Sequence, residues 1–246
     1  TNVIGIEIDK NNMETAKDRL EKIKNKVKLN TNIHFIQGDM RHSILTGKSF
    51  DKESKNKWDH LLNQLLIKKF DVISMQFTLH YFTESEESFS NLINNISNLL
   101  SDKGILIITT FDENKIDSLL KNENSIQGIT PITSDGSNTT KLWEIKKSNY
   151  SNDDIINSKE ISVYFQTIGK FHTEWVVKTD RLIKSLGNNG INMIDTFPKG
   201  NCTFDIWYND YIKNSKNKKM SDALQTYSFI NRTYMFQKQD SIIHFE

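Results

Sequence analysis

The hydrophobic pattern of the chain alternates between short apolar runs and longer amphipathic stretches, which is the order expected of an α/β protein. A strand is predicted over residues 1–9, and apolar positions at helical spacing predict a helix over Met13–Val27. A second strand is predicted over Asn32–Met40, so the strand–helix–strand order indicates parallel pairing with a right-handed crossover. A further helix is predicted over Trp58–Lys69.

The stretch Phe70–Phe82 begins as an apolar run short enough for one buried strand and then changes to polar and aromatic residues. In open α/β sheets, ligands bind just beyond the carboxyl ends of the strands. The pair His80 and Tyr81 therefore falls where a flat, polar ligand could be stacked and hydrogen-bonded. Taken without other residues, the pair is equally well explained as ordinary side chains next to a loop.

The rest of the chain continues the alternation, with one polar interruption. Ile105–Phe111 is apolar, as in a strand buried within a sheet. Residues 122–160 are polar and predict a surface excursion with some β structure. The other predicted elements are a helix after Glu84 that runs to Leu100, a short helix over Lys115–Leu120, a strand over Ile161–Phe165, a helix that opens at Glu174–Val177, a strand over Ile191–Phe197, a polar segment over Trp207–Lys219 and an aromatic strand over Thr226–Lys238.

Length, charge and cysteine content narrow the class of protein. A chain of 246 residues predicts one large α/β domain over residues 1–246. Its 32 basic and 31 acidic side chains give a net charge of +1, which argues against nonspecific coating of nucleic acid. Cys202 is the only cysteine, so no internal disulfide can form and an intracellular, reducing location is expected. Neither a membrane span of about 20 residues nor metal-ligand spacing occurs, so we expect no membrane and no metal.

Acidic residues close the first two predicted strands. An acid at the end of the second strand of a nucleotide-binding βαβ unit commonly accepts hydrogen bonds from ribose hydroxyls. Glu7 and Asp9 both suit this role, and because they point the same way along a strand the sequence does not choose between them. Both also suit the start of a helix. Gly38 permits close approach of the backbone, and Asp39 could accept from an exocyclic amine such as that of adenine.

Together these strand ends resemble class I S-adenosylmethionine-dependent methyltransferases. The stretch Met75–Ser85 resembles the more specific Gln-Phe-x-x-His-Tyr-x-x-Glu-Ser signature of mRNA cap guanine-N7 methyltransferases. Gly104–Thr110, Ile161–Val177 and Phe229–Lys238 are similar to later segments of the same family and follow in the same order. The resemblance spans essentially the whole chain, and the Asn- and Lys-rich composition resembles that of capping-enzyme domains from large DNA viruses.

The resemblance implies a Rossmann-like class I methyltransferase fold, with a mostly parallel seven-stranded sheet and helices on both faces. It implies transfer of a methyl group from S-adenosylmethionine to N7 of the guanine of capped mRNA, with S-adenosylhomocysteine as the product. RNA triphosphatase and guanylyltransferase domains would be fused to the chain or associated with it. The location would be the nucleus, or the cytoplasm or virion if the protein is viral. Guanine N7 already carries a lone pair, so no general base is expected.

The resemblance also assigns roles to individual residues. The cofactor-binding residues would be Glu7, Asp39, Met40, Gln76 and Phe77. The catalytic residues, which would position the guanine, are His80, Tyr81 and Glu174, and Phe111 and Tyr227 would join them in binding the substrate. No metal ligand is implied.

Two departures from the family pattern affect these expectations. The family begins with a basic segment and a strand that ends in a glycine loop, whereas this chain starts at the second strand. We therefore expect a C-terminal part of a longer capping enzyme, inactive or nearly so by itself. The family's cap-stacking tyrosine aligns with Asn231, and Tyr227, four residues earlier on the predicted strand, is the expected replacement.

Two other functions remain compatible with the sequence. A class I methyltransferase acting on a small molecule or a protein would share Glu7, Asp39 and the fold. It would not require Gln76, His80 and Glu174 together. A non-catalytic, methyltransferase-like partner subunit would account for the missing glycine loop, but not for the acids at the two strand ends.

Overall fold

The structure is a computed structural model, and it describes residues 1–24, 26, 30–131, 138–148, 159–194, 202–214 and 219–240. The chain divides into two compact units, one of residues 1–70 with 87–99 and the other of residues 71–86 with 100–246. In chain order the elements are β1 (Asn2–Glu7), α1 (Lys10–Lys24), β2 (Asn32–Gln37), α2 (Lys52–Gln64), β3 (Phe70–Gln76), a 3₁₀ helix (Leu79–Phe82), α3 (Glu86–Leu99), β4 (Leu100–Phe111), α4 (Glu113–Leu119), β5 (Ser125–Pro131), β6 (Thr139–Lys147), β7 (Lys159–Phe165), β8 (Phe171–Val176), α5 (Thr179–Gly187), β9 (Ile191–Met193), β10 (Cys202–Thr203), α6 (Phe204–Asn214), α7 (Asp222–Phe229) and β11 (Asn231–Lys238). In the part of the chain that is described, no helix is long and apolar enough to cross a membrane.

The first unit contains the predicted strand–helix–strand arrangement. Strands β1 and β2 pair in parallel, with Glu7 opposite Gln37, as the sequence predicts. Helix α1 begins earlier than predicted, at Lys10, because the side chain of Asp9 accepts a hydrogen bond from the backbone N–H of Asn12 and caps the helix. The predicted helix end at Val27 lies outside the described residues.

Helix α2 and the loop before it close the core of the first unit. Trp58 and Leu61 of α2 pack with Ile36 and Ile44, and all four side chains are buried. The helix begins at Lys52 instead of the predicted Trp58, because the Asp51 carboxylate accepts from the Ser54 N–H at 2.7 Å. The hydrophobic stripe therefore locates the buried face of this helix, while the cap at Asp51, seven residues before Trp58, determines where the helix starts.

The second unit contains a five-stranded sheet with the order β10-β11-β4-β3, in which β9 also pairs with β11. Strand β4 is largely buried, as predicted, with Leu106 and Ile108 fully shielded from solvent. Its pairing with β11 is antiparallel, and so is that of β9 and β10 with β11. Among the described strands, β1 pairs with β2 alone and β3 with β4 alone. The predicted mostly parallel, seven-stranded sheet is therefore not seen as one hydrogen-bonded sheet.

A second sheet of this unit is antiparallel, with the order β5-β6-β7-β8. Its inner face carries Trp143, Ile145, Ile161 and Val163, which are buried against Phe111. The predicted surface excursion at 122–160 thus supplies strands β5 and β6, and the sheet continues to the end of β8. The assignment of residues 1–246 to a single domain stays a prediction.

Two of the predicted elements are wrong. The segment at Glu174 is strand β8 rather than the start of a helix, because its side chains alternate between the two faces of the sheet. The first part of the predicted strand Thr226–Lys238 is helix α7, which Ser221 caps by accepting from the Leu224 N–H. Tyr227 therefore lies on a helix, and the argument that placed it on the strand face of Asn231 fails.

The polar segment around Trp207–Lys219, for which no secondary structure was predicted, begins within helix α6, which ends at Asn214. The predicted strand that starts at Ile191 is shorter than expected, since β9 ends at Met193. Residues 195–197 of that prediction lie outside the described residues.

Substitution of Gly128 by alanine is expected to destabilise the second unit by about 1–3 kcal/mol, the usual cost of overpacking a core. A Cβ atom at this position would overlap the indole of Trp143. The indole cannot move aside, because Trp143 is 1% exposed and its Nε1–H donates to the Ala223 carbonyl at 2.7 Å. The free energy of unfolding in urea measures the effect. Gly187→Ala is the control, since its Cβ would meet no atom closer than 3.7 Å, and equal losses in both variants would contradict this reading.

Candidate active site

The residue after β3 has an unusual backbone conformation. Phe77 has φ of 55°, a left-handed value that is uncommon for a residue other than glycine and marks local strain. The conformation is held by the Phe77 N–H, which donates to the Thr109 carbonyl of β4 at 2.8 Å. The chain therefore turns sharply out of the sheet immediately before the 3₁₀ helix that carries His80 and Tyr81.

A row of polar side chains joins three strands at this edge of the sheet. The Thr109 hydroxyl donates to Gln76 Oε1 at 2.6 Å, and Gln76 Nε2 donates to the Ser74 hydroxyl at 3.1 Å. The hydroxyls of Thr109 and Thr233 lie 3.1 Å apart. Since the Thr109 hydrogen is used by Gln76, Thr233 is the donor of that bond. Gln76, a predicted cofactor residue, is thus held in one orientation by its neighbours.

The 3₁₀ helix directs its side chains in opposite directions. Leu79 is fully buried and His80 is 6% exposed, whereas Tyr81 is 53% exposed. The rings of His80 and Tyr81 have centroids 4.0 Å apart. Leu79 therefore anchors the turn, His80 faces inward, and Tyr81 presents an accessible aromatic face beside it.

The buried imidazole of His80 meets the carboxyl group of Glu174. His80 Nδ1 lies 3.4 Å from Glu174 Oε2, and the two side chains are only 8% and 16% exposed. Glu174 pairs with Ile161 in the register of β7 and β8, so its side chain enters the apolar inner face of the antiparallel sheet. Two of the predicted guanine-binding residues, 94 positions apart in sequence, are thereby brought into contact.

Burial shifts the pKa values of the two groups in opposite directions. It lowers the pKa of His80 to about 4 and raises the pKa of Glu174 to about 7, because a charged side chain is poorly solvated in this environment. At neutral pH the imidazole is uncharged, so the contact is not a salt bridge between two charged groups. His80 Nε2 is buried with no hydrogen-bond partner among the described protein atoms. Such an atom identifies a place where a ligand could bind.

Tyr227 borders the same carboxyl group. Burial and the negative charge of Glu174 both raise the pKa of the Tyr227 phenol. Its ring packs against Phe165 at 4.9 Å, Trp143 at 5.6 Å and Phe111 at 6.2 Å between centroids. The substrate residues predicted from the sequence therefore lie in one unit, although Tyr227 enters from helix α7 instead of a strand.

Asn231, which stands where the family has a tyrosine, has a structural role. It is 3% exposed, and its Nδ2 donates to the carbonyls of Tyr227 and Ser228 at 3.0 and 3.1 Å. These bonds satisfy carbonyl groups at the end of α7 and fix the turn into β11. Asn231 thus positions Tyr227, a relationship that the sequence alignment did not reveal.

In the first unit, Glu7 and Asp9 differ in their contacts. The Asp9 carboxylate is used to cap α1, and Glu7 Oε1 accepts from the Asp9 N–H at 2.9 Å. Glu7 ends β1 and is half-buried, whereas Asp9 is exposed. Each carboxylate accepts one backbone hydrogen bond and retains lone pairs, so hydrogen bonding does not distinguish the two acids. The position of Glu7 at the end of β1, together with its partial burial, favours Glu7 over Asp9 for the ribose role.

The second predicted cofactor acid already has a partner. Asp39 accepts from Arg41 through both Nε and Nη2, at 3.0 and 2.9 Å. Although partial burial opposes the shift, these hydrogen bonds hold the pKa of Asp39 below its usual value. Gly38 is required for packing, since a Cβ would lie 2.6 Å from the ring of Phe50. Packing against Phe50 is therefore enough to explain the glycine at this position, and the approach of a ligand to Gly38 stays a prediction.

Sequence reasoning also missed the residue that holds Met40, a predicted cofactor residue, and its loop. Asn95 of α3 is 1% exposed, and its Nδ2 donates to the carbonyls of Met40 and His42. Its Oδ1 accepts from the Ile44 N–H at 2.9 Å. The sequence did contain a signal for Asn95, which is an amide on the apolar face of a helix. Because buried polar groups in native proteins are hydrogen-bonded, such an amide predicts partners in a neighbouring segment.

Comparisons with known proteins agree with this geometry. Residues 1–240 match the family described as mRNA (guanine-N(7))-methyltransferase domain. The probable mRNA-capping enzyme of Acanthamoeba polyphaga mimivirus is 27% identical over an alignment that covers 97% of this chain. That alignment covers 24% of the viral protein, so the chain spans about a quarter of its relative's length.

Two solved structures show the fold. An S-adenosylmethionine-dependent methyltransferase from Clostridium acetobutylicum ATCC 824 has a TM-score of 0.52 and 14% identity, and the match covers 98% of this chain and 76% of that one. The CcbJ methyltransferase from Streptomyces caelestis also has a TM-score of 0.52, with 10% identity over 96% of this chain and 74% of its own.

The family match confirms the predicted type of enzyme, a methyltransferase, and the two structures confirm the class I methyltransferase fold. The roles of individual residues stay predictions. The family match extends over nearly the whole chain and agrees with the signature at the end of β3. The chain therefore belongs to the mRNA (guanine-N(7))-methyltransferase domain family.

Proposed function

We propose that the second unit binds the guanine of capped mRNA through His80, Tyr81 and Glu174, so that N7 is presented for methylation. The contact between the buried Glu174 carboxyl and His80 is the observation that carries this proposal. A carboxyl group in an apolar, aromatic environment is costly to maintain unless a ligand or a partner uses it. The unpartnered His80 Nε2 lies beside it.

The chemistry of the guanine edge matches a carboxylate. Guanine presents two donors, N1–H and the N2 amine, whereas a carboxylate only accepts hydrogen bonds. Adenine has no donor at N1, so it would leave one carboxylate oxygen desolvated and unpaired. A buried acceptor group rejects such a ligand more strongly than an exposed one would. Glu174 therefore accounts for selection of guanine over adenine at the cap.

The protonation state of the pair fits this role. Because the pKa of Glu174 is about 7, the free site holds a mixture of carboxylic acid and carboxylate at neutral pH. Guanine binds the carboxylate, so binding should release a proton from part of the population. The neutral imidazole of His80 can then donate its Nδ1–H to Oε2, which fixes the orientation of the carboxylate. Its Nε2 is left as an acceptor toward the ligand.

Aromatic side chains complete the proposed guanine site. Tyr81 offers an accessible ring, and Phe111 and Tyr227 lie in the cluster next to Glu174. Flat heterocycles stack on such faces, and a methylated guanine carries a positive charge that an aromatic ring also stabilises. Tyr227 thus takes the place of the family's last-strand tyrosine from a different element.

The reaction requires positioning rather than acid–base chemistry. S-adenosylmethionine supplies the methyl group from a sulfonium, and guanine N7 needs no deprotonation to accept it. The chain contributes by holding the guanine at near-attack distance in a site that excludes water. For the cofactor, the proposal assigns Glu7 to the ribose hydroxyls and Asp39 and Met40 to the adenine. Gln76 and Phe77 stay predicted cofactor residues.

The viral relative is about four times as long as this chain, which bears on the activities of the whole protein. The chain spans about a quarter of a probable mRNA-capping enzyme. We therefore propose that RNA triphosphatase and guanylyltransferase activities are fused to the chain or act in association with it. An intracellular location agrees with the single cysteine.

Glu174→Gln is expected to lower kcat/KM for GpppA, with a loss of roughly 2–4 kcal/mol of transition-state stabilisation. The substitution replaces one accepting oxygen of the side chain by an NH₂ donor, which would face a donor group of guanine. Tyr81→Phe should cost less, since the ring survives. Methyl transfer to GpppA and ApppA measures both effects. Glu160→Gln, on the neighbouring strand β7, is the matched control. Near-normal activity of Glu174→Gln, or equal use of ApppA, would exclude the guanine assignment.

The pH dependence of folding tests the state of the pair. Glu174 binds its proton more tightly when folded, so its contribution to stability is lost as pH rises from about 4.5 to about 7. His80 binds its proton less tightly when folded, so its contribution is lost as pH falls from about 6.5 to about 4. Between about pH 4.5 and 6.5 the two effects cancel.

Glu174→Gln removes the proton-linked contribution of Glu174 to stability and leaves that of His80. Relative to wild type, this variant should lose up to about 1.4 kcal/mol of unfolding free energy per unit of pH as pH falls from 6.5 to 4.5. Urea unfolding at several pH values gives the difference curve, and Glu160→Gln should give a flat one. A flat difference curve for Glu174→Gln would show that folding does not raise the pKa of Glu174.

Glu7→Ala is expected to weaken binding of S-adenosylmethionine by about 1.5–3 kcal/mol, as for loss of a charge-assisted hydrogen bond. Asp9→Ala is the matched control, because Asp9 caps α1 and should affect stability but not cofactor affinity. Isothermal titration of the native protein with S-adenosylhomocysteine measures both. If Asp9→Ala has the larger effect on affinity, the ribose contact belongs to Asp9.

A further inference from the structure

Helix α6 has an aromatic face that is only partly covered. Phe204, Trp207, Tyr208 and Tyr211 follow the spacing i, i+3, i+4, i+7, so they share one side of the helix. A helix face of this composition normally packs into a core. Here Trp207 is 41% exposed and Tyr211 is 51% exposed. The outer part of the face is therefore open to solvent.

A cavity of about 440 Å³ lies against this face. The four aromatic side chains of α6 line it together with Phe229 and Thr233. This volume is within the range of pockets that bind small molecules, and a mostly apolar wall with a few hydroxyl groups suits a flat heterocycle. The cavity could therefore hold a nucleobase.

The inner wall of the pocket is fixed by specific contacts. The Tyr208 hydroxyl accepts from the Met220 N–H at 2.9 Å, and its ring packs on Phe229 at 5.4 Å. The edge of Phe204 meets the ring of Phe77 at 6.1 Å. A rigid inner wall with Trp207 at an accessible position reduces the conformational entropy lost on binding.

The pocket adjoins the end of β3, just before the 3₁₀ helix that carries His80 and Tyr81, through two contacts. Phe77, which touches Phe204, is three residues before His80. Thr233, which lines the pocket, donates to Thr109. The pocket is thus joined through Phe77 to the turn that leads into the 3₁₀ helix of the proposed guanine site.

The charge near α6 matches a polyanion. The segment from Lys213 to Lys219 contains four lysines in seven positions and no acidic residue. The two end residues of this segment, Lys213 and Lys219, are exposed. Exposed lysines near stacking aromatic rings, such as Lys213 at the end of α6, are typical of a site for single-stranded nucleic acid. An apolar side chain of a protein partner would fit the cavity but would not explain the lysines.

We propose that the pocket on α6 binds a nucleobase of the RNA that follows the cap, stacked on Trp207 and Tyr211. The proposal rests on the proposed function, because it supplies the transcript with a second point of attachment. Stacking on aromatic side chains is tolerant of sequence, since each base has a π face. The enzyme would then favour a capped RNA chain over the isolated cap dinucleotide.

Steady-state methylation by the native protein tests this inference with two substrates, GpppA and a capped RNA of about ten nucleotides. Wild type should have a lower KM for the capped RNA. Trp207→Ala and Tyr211→Ala should each raise that KM by about tenfold and leave kcat/KM for GpppA unchanged. Trp207→Phe should keep most of the preference because it retains a ring. Ile206→Ala is the matched control, since Ile206 is 40% exposed on the same helix.

A binding measurement separates this proposal from the proposed function. The uncapped RNA of the same sequence should bind wild type and Ile206→Ala equally, and both aromatic-to-alanine variants about tenfold more weakly. If neither substrate is methylated but this pattern of binding is found, the pocket proposal stands and the proposed function fails. If the variants bind RNA like wild type, or lose activity on GpppA and capped RNA alike, the pocket proposal is wrong.

Discussion

The contact between His80 and Glu174 is the constraint on which the proposed active site depends. Both groups are removed from water, and burial alone moves their pKa values to about 4 and about 7. Near neutral pH the pair therefore consists of an uncharged imidazole and a carboxyl group that is partly protonated. Leaving either group fully charged and unpaired in this environment would cost several kcal/mol. The surrounding fold must hold both side chains in place while allowing a ligand to reach them.

Three elements of different type meet this requirement. The 3₁₀ helix buries Leu79 and turns His80 inward, and β8 delivers Glu174 to the apolar face of the antiparallel sheet. Helix α7 brings Tyr227 to the same carboxyl group, and Asn231 fixes the end of that helix. The sheet thus does more than extend the surface of the unit, because its inner face provides the low-polarity environment that shifts both pKa values. The same packing therefore fixes the positions of His80 and Glu174 and shifts their pKa values.

The sequence predicted the parts of the site that depend on local motifs. His80 and Tyr81 could be located because they follow a recognisable strand, and Glu174 because a family segment surrounds it. The strand at Glu174 was predicted as a helix, because a short apolar segment fits the periodicity of a helix as well as that of a strand. The helix at Tyr227 was predicted as a strand, because the cap at Ser221 that starts this helix was not recognised. Contacts between distant residues, such as those of Asn231, have no periodic signal. The start of α2 was predicted wrongly for a different reason, because the local cap at Asp51 and not the apolar stripe determines it.

The two proposed sites would recognise RNA by different physical means, and the difference follows from their exposure. A buried carboxyl group selects guanine because an unpaired acceptor in a poorly solvated site is costly, so its selectivity depends on low polarity. The half-exposed rings of Trp207 and Tyr211 lie in a wetter environment, where stacking gives affinity with little choice between bases. A capping enzyme must accept transcripts of any sequence but only one cap base. Strict recognition therefore belongs in the buried site, and tolerant recognition on the open helix face.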